Sequence, residues 1–377
     1  MSKNYDVIVV GVGGMGSSIC YHLAKRGVKT LGIEQYGISH TYGSSFGDSR
    51  IFRLSQFAGA EYVPLAIRAK DLWAELEDYS NEKVLTTTGG LDAGPDDGPI
   101  FSGALKSSQE SGLDHEVLDA NELKRRFPAF NLPSHYKGIY QKDAGIIVPE
   151  RAVVAHTRAA MQHGATITTY ATVKKIEPNV NSVKVTTDKG CYEAEKLVMS
   201  GGPWTGEILP ELKQILTPER GCVGWFTGDK PEYFQVGTMP ICIIDDETGS
   251  FYGFPEFGAR LGFKIGTNIH LKEYGKNDEL RRGFDQTDEE RLRHYTKKYM
   301  NKGNGVLTTA SDCVWTLTPD EHFILDVHPN YPNISIAAGF SGYGFKFCPV
   351  IGEIMADIAL GKQPSFDLNL HKLSRFN

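Results

Sequence analysis

Three glycines and one acid near the start of the chain are spaced to hold a dinucleotide. The glycines lie at positions 11, 13 and 16, directly after the apolar residues 7–10, and Glu34 follows eighteen residues later. In such a pattern Gly11 permits a tight turn, Gly13 lets a pyrophosphate approach the backbone, and Gly16 lets helix and strand pack closely. The helix N-terminus offers N–H groups to the phosphates, and the acid is placed to bind a ribose hydroxyl. The residues predicted to bind the dinucleotide are Gly11, Gly13, Gly14, Met15, Gly16 and Glu34.

A lysine stands inside an apolar stretch in the second half of the chain. Lys264 lies at the centre of residues 262–266, between Phe263 and Ile265. A buried ammonium is costly unless it has a partner or a role. Lys264 is therefore a second candidate for chemistry.

These residues need particular elements to position them. The glycine pattern predicts a strand, a helix to about residue 27, and a second strand over residues 30–33. A buried strand running into a glycine turn occurs again over residues 196–202 and 334–342, and a helix over residues 344–360 follows the last one. Nucleotide-domain features at the start, middle and end predict one discontinuous domain. A split domain of this kind suits FAD better than NAD, because FAD is long enough to lie across several of its pieces.

The remaining segments predict a second domain. Residues 215–316 are rich in strand patterns, with one helix near residues 288–299. Residues 89–99 have the glycines and prolines of hairpins and loops, residues 99–130 suggest two short helices, and residues 138–148 suggest one strand. The predicted class is α/β, with a Rossmann-like FAD-binding domain (1–83, 145–214 and 318–377) and a mixed-sheet substrate domain (84–144 and 215–317).

Composition excludes several functions. The chain has 377 residues and a net charge of −6, which argues against nucleic acid as a partner. No apolar run is long enough to predict a membrane span, and the first strand begins too early to leave room for a signal peptide. Six scattered cysteines favour reduced thiols in the cytoplasm. The histidines do not cluster with carboxylates at metal-ligand spacing, so we expect no metal.

Several longer motifs resemble those of monomeric sarcosine oxidase and its relatives, which include N-methyltryptophan, pipecolate and fructosyl-amino-acid oxidases. The motifs are GSSFGDSRIFR at residues 43–53, EYVPL at 61–65, YGFP at 252–255, KIG at 264–266, PDEHF at 319–323 and GFSGYGFKF at 339–347. The resemblance implies oxidation of a secondary amine of an amino acid to an imine. FAD would accept the hydride, and O2 would then be reduced to H2O2. It further implies a monomer whose flavin is joined to a cysteine.

The resemblance assigns roles to individual residues. Cys313 matches the cysteine that carries the flavin, although a buried structural thiol is the alternative reading of that residue. Arg53 and Lys346 match the pair that holds the substrate carboxylate; the alternatives are an ion pair of Arg53 with Asp48 or Glu61, and a solvated lysine. Arg50 matches a residue beside the flavin ring, where a salt bridge to Asp48 is the alternative, and Lys264 matches the lysine that activates O2. Tyr252 is placed near the carboxylate or in the core. The residues expected along the cofactor are Ser44, Val173, Gly201, Trp204, Gly344 and Phe345.

The chain departs from the sarcosine oxidase pattern in the predicted substrate pocket. Sarcosine oxidases have histidines where this chain has Ser45, Phe46, Asn268 and Tyr343, and a tyrosine where it has Trp315. The pocket is therefore expected to favour a different N-substituent or side chain from that of sarcosine. The alternatives left open are a fructosyl-amino-acid or cyclic imino acid oxidase, a flavin dehydrogenase that uses another acceptor, and a flavin-binding protein without turnover.

Overall fold

The computed structural model describes residues 3–267 and 272–376. Within these residues no helix is long and apolar enough to cross a membrane. The helices are α1 (Gly14–Lys25), α2 (Val63–Ser80), α3 (Pro99–Glu110), α4 (Ala120–Arg126), α5 (Pro149–Gln162), α6 (Thr205–Ile208), α7 (Gln286–Tyr299) and α8 (Cys348–Ala359). The strands are β1 (Lys3–Val10), β2 (Thr30–Ile33), β3 (Arg50–Phe52), β4 (Leu85–Thr87), β5 (Gly90–Gly94), β6 (Glu116–Asp119), β7 (Lys137–Gln141), β8 (Gly145–Ile147), β9 (Thr166–Thr168), β10 (Val173–Pro178), β11 (Val183–Thr187), β12 (Gly190–Met199), β13 (Thr217–Phe226), β14 (Ile241–Asp246), β15 (Gly249–Phe254), β16 (Phe263–Thr267), β17 (Leu307–Leu317), β18 (Ile324–His328) and β19 (Tyr331–Ala338).

The first sheet has the order β10-β11-β12-β1-β2-β9, with β19 paired to β12 and β18 to β19. The second half of its central strand β1, residues 7–10, is apolar because both of its faces are covered there. Val7 and Val9 pack into the core beneath α1, α2, α5 and α8, whereas Ile8 and Val10 pack into the core on the opposite face. The pairings of β1 with β2 and β12 are parallel, so their carboxyl ends meet at one edge.

The glycine turn lies at this edge, between β1 and α1. Gly11 has a φ of +87°, and a Cβ on it would come within 2.5 Å of the Ser200 carbonyl oxygen. A Cβ on Gly16 would lie 1.7 Å from the Gly11 oxygen, so α1 can only begin here if that residue is glycine. The roles predicted for these two glycines agree with this packing.

The second sheet has the order β17-β13-β16-β15-β14-β5-β7-β6. It is mixed, since β14 and β5 are parallel and their neighbours are antiparallel. Register places Lys264 opposite Trp225, and Cys313 opposite Gly221. A third, small sheet of order β3-β8-β4 carries Arg50 at the start of its first strand.

The structure corrects three local predictions. Residues 90–94, predicted as loop punctuation, form the buried strand β5. The single strand predicted over residues 138–148 is two strands, β7 and β8, which belong to different sheets. A short 3-10 helix over Gly344–Phe347 precedes α8, because Pro349 lies in the first turn of that helix. The predicted α/β class with a nucleotide-binding sheet and a mixed sheet is confirmed, whereas the domain boundaries stay a prediction.

Candidate active site

One cavity of about 500 Å³ runs between the glycine turn and the second sheet. The predicted site residues that line it are Gly11, Gly13, Gly14, Met15, Glu34, Ser44, Phe46, Arg50, Arg53, Val173, Gly201, Trp204, Tyr252, Lys264, Cys313, Trp315, Tyr343, Gly344, Phe345 and Lys346. Gly16 does not line it, since it packs against Gly11. Asn268, predicted for the substrate pocket, lies outside the described residues.

The glycine-turn end of the cavity fits a dinucleotide. A Cβ on Gly13 would meet only the Ser45 Oγ, at 3.5 Å, so this part of the backbone is open to an approaching pyrophosphate. The Gly14 amide, first in α1, donates to that same hydroxyl at 3.0 Å. Glu34 is buried and accepts from the amides of Val12 at 2.9 Å and Tyr36 at 3.0 Å, which fixes its carboxylate beside the turn.

Aromatic rings surround the neighbouring part of the cavity. The Trp204 indole N–H donates to Asp278 at 3.0 Å, and its ring lies 5.8 Å from that of Tyr36 and 6.3 Å from that of His40. Val173 lines the same cavity at the start of β10. These surroundings suit a base and a ribose, as predicted for Val173 and Trp204.

Cys313 and Trp315 project from the same face of β17. The Cys313 thiol is partly exposed in the cavity, where burial raises its pKa and the nearby Arg50 and Lys264 lower it. The Trp315 indole N–H donates to Glu219 at 2.9 Å, so its ring is held as a wall. Cys348 differs from Cys313, because it is fully buried in the core between α1 and α8.

Lys264 is buried, with its ammonium enclosed by protein. It donates to the Gly47 carbonyl at 2.8 Å, and to the carbonyl and hydroxyl of Ser49 at 3.3 and 3.1 Å. The rings of Trp225 and Phe254 lie 5.1 and 5.0 Å from it. Burial, with a smaller contribution from Arg50, lowers the pKa of Lys264 to about 7.

Arg50 is held by backbone oxygens. It donates to the carbonyls of Ser49 and Ser44, both at 2.8 Å. The salt bridge to Asp48, an alternative reading of Arg50, is not formed, because Asp48 pairs with Arg260. The guanidinium is therefore free of any carboxylate partner among the described residues.

Arg53 and Lys346 form a second pair of cations in the cavity wall. Arg53 is 3% exposed and donates to Asp92 at 2.5 Å, while its Nε atom is buried without a partner in the described part of the chain. The Lys346 ammonium, also 3% exposed, donates to the Tyr343 carbonyl at 2.7 Å. Burial lowers the pKa of Lys346 well below its usual value, with Arg53 adding to that effect. The alternative of a solvated Lys346 is thus wrong, and the buried partner of Arg53 is neither Asp48 nor Glu61.

Three aromatic residues predicted in or near the pocket contribute rings. The Tyr252 ring covers Gly266, where an added Cβ would meet its hydroxyl at 2.4 Å. The Tyr343 hydroxyl donates to the Glu321 carbonyl at 2.8 Å, so its ring, and not its hydroxyl, faces the cavity. Phe46 is buried in the same cavity wall.

Two residues near Arg53 were missed by sequence reasoning. The Phe57 ring lies 4.6 Å from the Arg53 guanidinium carbon and 6.4 Å from the Tyr343 ring. Asp92 lies in β5, between Leu91 and Ala93, and its only signal was an acid among small and apolar residues. Phe57 gave no signal beyond its closeness to Arg53 in the sequence.

A glycine turn open to a pyrophosphate, in one cavity with two buried lysines and a half-buried thiol, defines a nucleotide-dependent redox enzyme. A family model described as FAD dependent oxidoreductase matches residues 6–358. A monomeric sarcosine oxidase from Bacillus sp. (strain NS-129) is 40% identical, with 100% of this chain and 98% of the relative covered. An N-methyl-L-tryptophan oxidase from Salmonella newport (strain SL254) is 34% identical, with 99% of each covered. This chain belongs to the FAD dependent oxidoreductase family.

Solved structures agree with the fold. The open form of NikD, an unusual amino acid oxidase, has a TM-score of 0.85 at 25% identity, and 98% of each chain is covered. Amadoriase I from Aspergillus fumigatus, a fructosyl amine:oxygen oxidoreductase, has a TM-score of 0.78 at 18% identity over 97% of this chain and 88% of that one. This chain is thus an FAD-dependent oxidoreductase with the architecture of amino acid and amine oxidases.

Proposed function

We propose that this protein oxidises the secondary amine of an N-methyl amino acid to an imine and reduces O2 to H2O2. The observation that supports the proposal is one cavity whose lining combines the glycine turn, Lys264 and Cys313 with the cationic pair Arg53 and Lys346. Two cations on one carboxylate orient an amino acid, and a separate buried cation suits a reaction that delivers electrons to O2.

Arg53 and Lys346 would bind and orient the substrate. When bound, FAD supplies the acceptor for the hydride that leaves the carbon next to the amine. The Arg53 Nε and the remaining ammonium donors of Lys346 are available to a carboxylate. Hydride release requires a neutral amine, so the rate of flavin reduction by substrate is expected to rise with pH until the amine has lost its proton.

Lys264 and Arg50 would act in the reaction with O2. Lys264 provides a positive charge in a dry environment, where charge stabilisation is strongest. Arg50, without a carboxylate partner in the described residues, adds a second cation in the same wall. These charges favour an oxidase over a dehydrogenase that passes electrons to another acceptor.

Covalent attachment of FAD through Cys313 is part of the proposal. Cys313 is partly exposed in the cavity, and two cations, Arg50 and Lys264, oppose the rise of its pKa that burial causes. Acid precipitation tests the link: the pellet should stay yellow for the native chain and turn colourless for Cys313→Ser. Flavin released intact from the native protein would contradict the link.

The substrate is expected to be an N-methyl amino acid larger than sarcosine. The N-methyl group is inferred from the relatives named for sarcosine and N-methyltryptophan. The rings of Phe46, Trp315 and Tyr343 in the cavity wall favour a substrate with a bulkier side chain. Fructosyl-amino acids and cyclic imino acids are the alternatives. We further infer a monomer of the cytoplasm, from the names of the sarcosine oxidase relatives and the scattered cysteines.

A peroxide assay over a substrate panel tests the function. The panel contains sarcosine, larger N-methyl amino acids, pipecolate, proline and fructosyl-valine. We expect peroxide with an N-methyl amino acid, and most of it with a larger one. Turnover with a dye acceptor and no peroxide from any of these compounds would favour the dehydrogenase.

A further inference from the structure

A buried acid lies directly behind the proposed carboxylate site. Asp92 is 4% exposed, and one of its oxygens, Oδ2, accepts from Arg53 at 2.5 Å and from the Ser55 hydroxyl at 3.0 Å. No assigned role explains why the substrate-binding arginine should be paired with a buried carboxylate. Removing one partner of such a pair leaves an uncompensated buried charge, so Asp92 restricts where the Arg53 guanidinium can lie.

The whole segment around Arg53 is fastened to the second sheet and α3. The Ser55 amide donates to Gln141 of β7 at 2.8 Å, and the Gln56 amide donates to Ser107 of α3 at 3.0 Å. The Gln56 side chain also donates to the Arg53 carbonyl at 2.8 Å. With its backbone held in this way, the guanidinium is directed by the single ion pair to Asp92.

Pairing with Asp92 leaves a defined part of the guanidinium for a ligand. The bond to Asp92 uses one terminal nitrogen, Nη1, while the buried Nε has no partner within the described residues. The ring of Phe57 covers one face of the guanidinium, 4.6 Å from its central carbon. A ligand carboxylate is thereby limited to the remaining edge, in the geometry that suits two parallel hydrogen bonds.

Asp92 also sets the charge balance of the pair of cations. The charged groups facing Lys346 are Arg53, which lowers its pKa, and Asp92, which raises it; the titratable group beside it on its own segment is Tyr343. Without the carboxylate, two buried cations would face each other with no counter-charge. Arg53 would then lose its fixed direction, and Lys346 would lose its proton at a lower pH.

We propose that Asp92 is the positioning residue of the carboxylate site: it aims Arg53 at the ligand and supplies the negative charge beside Arg53 and Lys346. This inference rests on the proposed function, since it assumes that Arg53 and Lys346 bind a carboxylate. It adds a residue that acts through the other two without touching the substrate.

Ligand binding tests the inference without turnover. Acetate, propionate and benzoate, which cannot be oxidised at an amine, are titrated into the FAD-loaded protein by calorimetry and by flavin absorbance from pH 6 to pH 10. Asp92→Asn keeps the shape and removes the charge. Its affinity for benzoate should fall by about 10- to 100-fold, as expected for the loss of a charge-assisted bond, and the pH above which affinity declines should move down.

Two further variants separate positioning from general structure. Asp92→Glu keeps the charge but displaces Arg53, so affinity should fall by about 3- to 10-fold while the pH of the decline is unchanged. Asp288→Asn is the matched control, because Asp288 is a buried acid on α7 that pairs with another buried arginine, Arg220, at 2.7 Å and has no contact with Arg53 among the described residues. It should leave both readouts within about twofold of native.

The outcomes are distinct. If the native protein binds none of the three carboxylates, the proposed carboxylate site is wrong, and this inference with it. If the native protein binds them and Asp92→Asn does so with the same affinity and pH dependence, only the role of Asp92 is wrong. Should Asp92→Asn not fold, Asp92→Glu alone decides: undiminished affinity overturns the inference, and weaker affinity with an unmoved pH dependence supports it.

Discussion

Two parts of the cavity wall each bury a lysine: the Lys264 end, which includes Arg50, and the Lys346 end, which includes Arg53. The two lysines differ in their hydrogen-bond partners. Lys264 meets three acceptor atoms, from Gly47 and Ser49, which matches the three donors of an ammonium. Within residues 3–267 and 272–376, Lys346 meets one acceptor atom, the Tyr343 carbonyl. All three ammonium donors of Lys264 are therefore used within the protein, and this lysine would act by its charge alone. Lys346, in contrast, has donors left for a ligand.

The neighbouring arginines repeat this difference. Arg50, near Lys264, is held by two backbone carbonyls and has no carboxylate partner among the described residues. Arg53, near Lys346, is paired with a carboxylate. The Lys264 end thus holds its cations by uncharged oxygens, whereas the Lys346 end directs its arginine by an ion pair. This difference suits electron delivery to O2 at the Lys264 end and recognition of a carboxylate at the Lys346 end.

The largest expected effect is on the oxygen reaction of Lys264→Met. Because the ammonium acts by charge, flavin reoxidation by O2 should slow by about 100- to 1000-fold, as for the loss of a preorganised electrostatic group. Flavin reduction by substrate should change far less. Stopped-flow absorbance measures the two half-reactions separately, and comparable slowing of both would contradict the division between the two ends.

Replacing the other lysine should affect the opposite step. Lys346→Met removes donors that a ligand uses, so benzoate affinity should fall by about 10- to 100-fold and KM should rise accordingly. Reoxidation by O2 should stay within about twofold of native, since Lys264 and its acceptors are untouched. A matching loss in the oxygen reaction would show that the two ends are not independent.

Sequence reasoning found these lysines but not the groups that surround them. The glycine turn and the β1-α1-β2 unit were predictable, because each glycine has a local steric reason that the spacing reveals. Lys264 was conspicuous as a charge in an apolar strand. Asp92 was not predictable, since it lies 39 residues from Arg53 and belongs to a strand that was interpreted as a loop. The nearer acids Asp48 and Glu61 were considered instead, but tertiary packing, and not proximity in sequence, selects the partner.

Burial of the Lys264 ammonium should also lower the stability of the fold, and the same variant tests this. The pKa of Lys264 is about 7 in the folded protein, and an unfolded lysine titrates near 10.4. Between these values the unfolded chain binds more protons, so this lysine makes stability rise with pH from 7 to 10. At pH 7 Lys264→Met should increase the free energy of unfolding by about 1–3 kcal/mol.

Urea unfolding of the native and variant proteins at pH 7 and pH 9.5 measures this difference. The stabilisation by Lys264→Met should shrink at pH 9.5, where most of the lysine is already neutral in the native fold. A variant that is less stable than the native protein at pH 7 would mean that the three acceptors and two rings outweigh the cost of burial. In that case Lys264 would be a structural residue as much as a reactive one.

The smallest effect is expected from the carboxylate that holds the acceptors of Lys264. Glu150, in the first turn of α5, accepts from the amides of Gly47 at 2.5 Å and Asp48 at 3.1 Å. Glu150→Gln keeps one acceptor oxygen but weakens both bonds, so the segment carrying the Gly47 carbonyl should loosen. We expect reoxidation by O2 to slow by about two- to fivefold and benzoate affinity to stay unchanged. Because Glu150 touches neither Arg53 nor Lys346, a fall in benzoate affinity would mean that the segment after Ser44 couples the two ends, and the cavity would then work as one site.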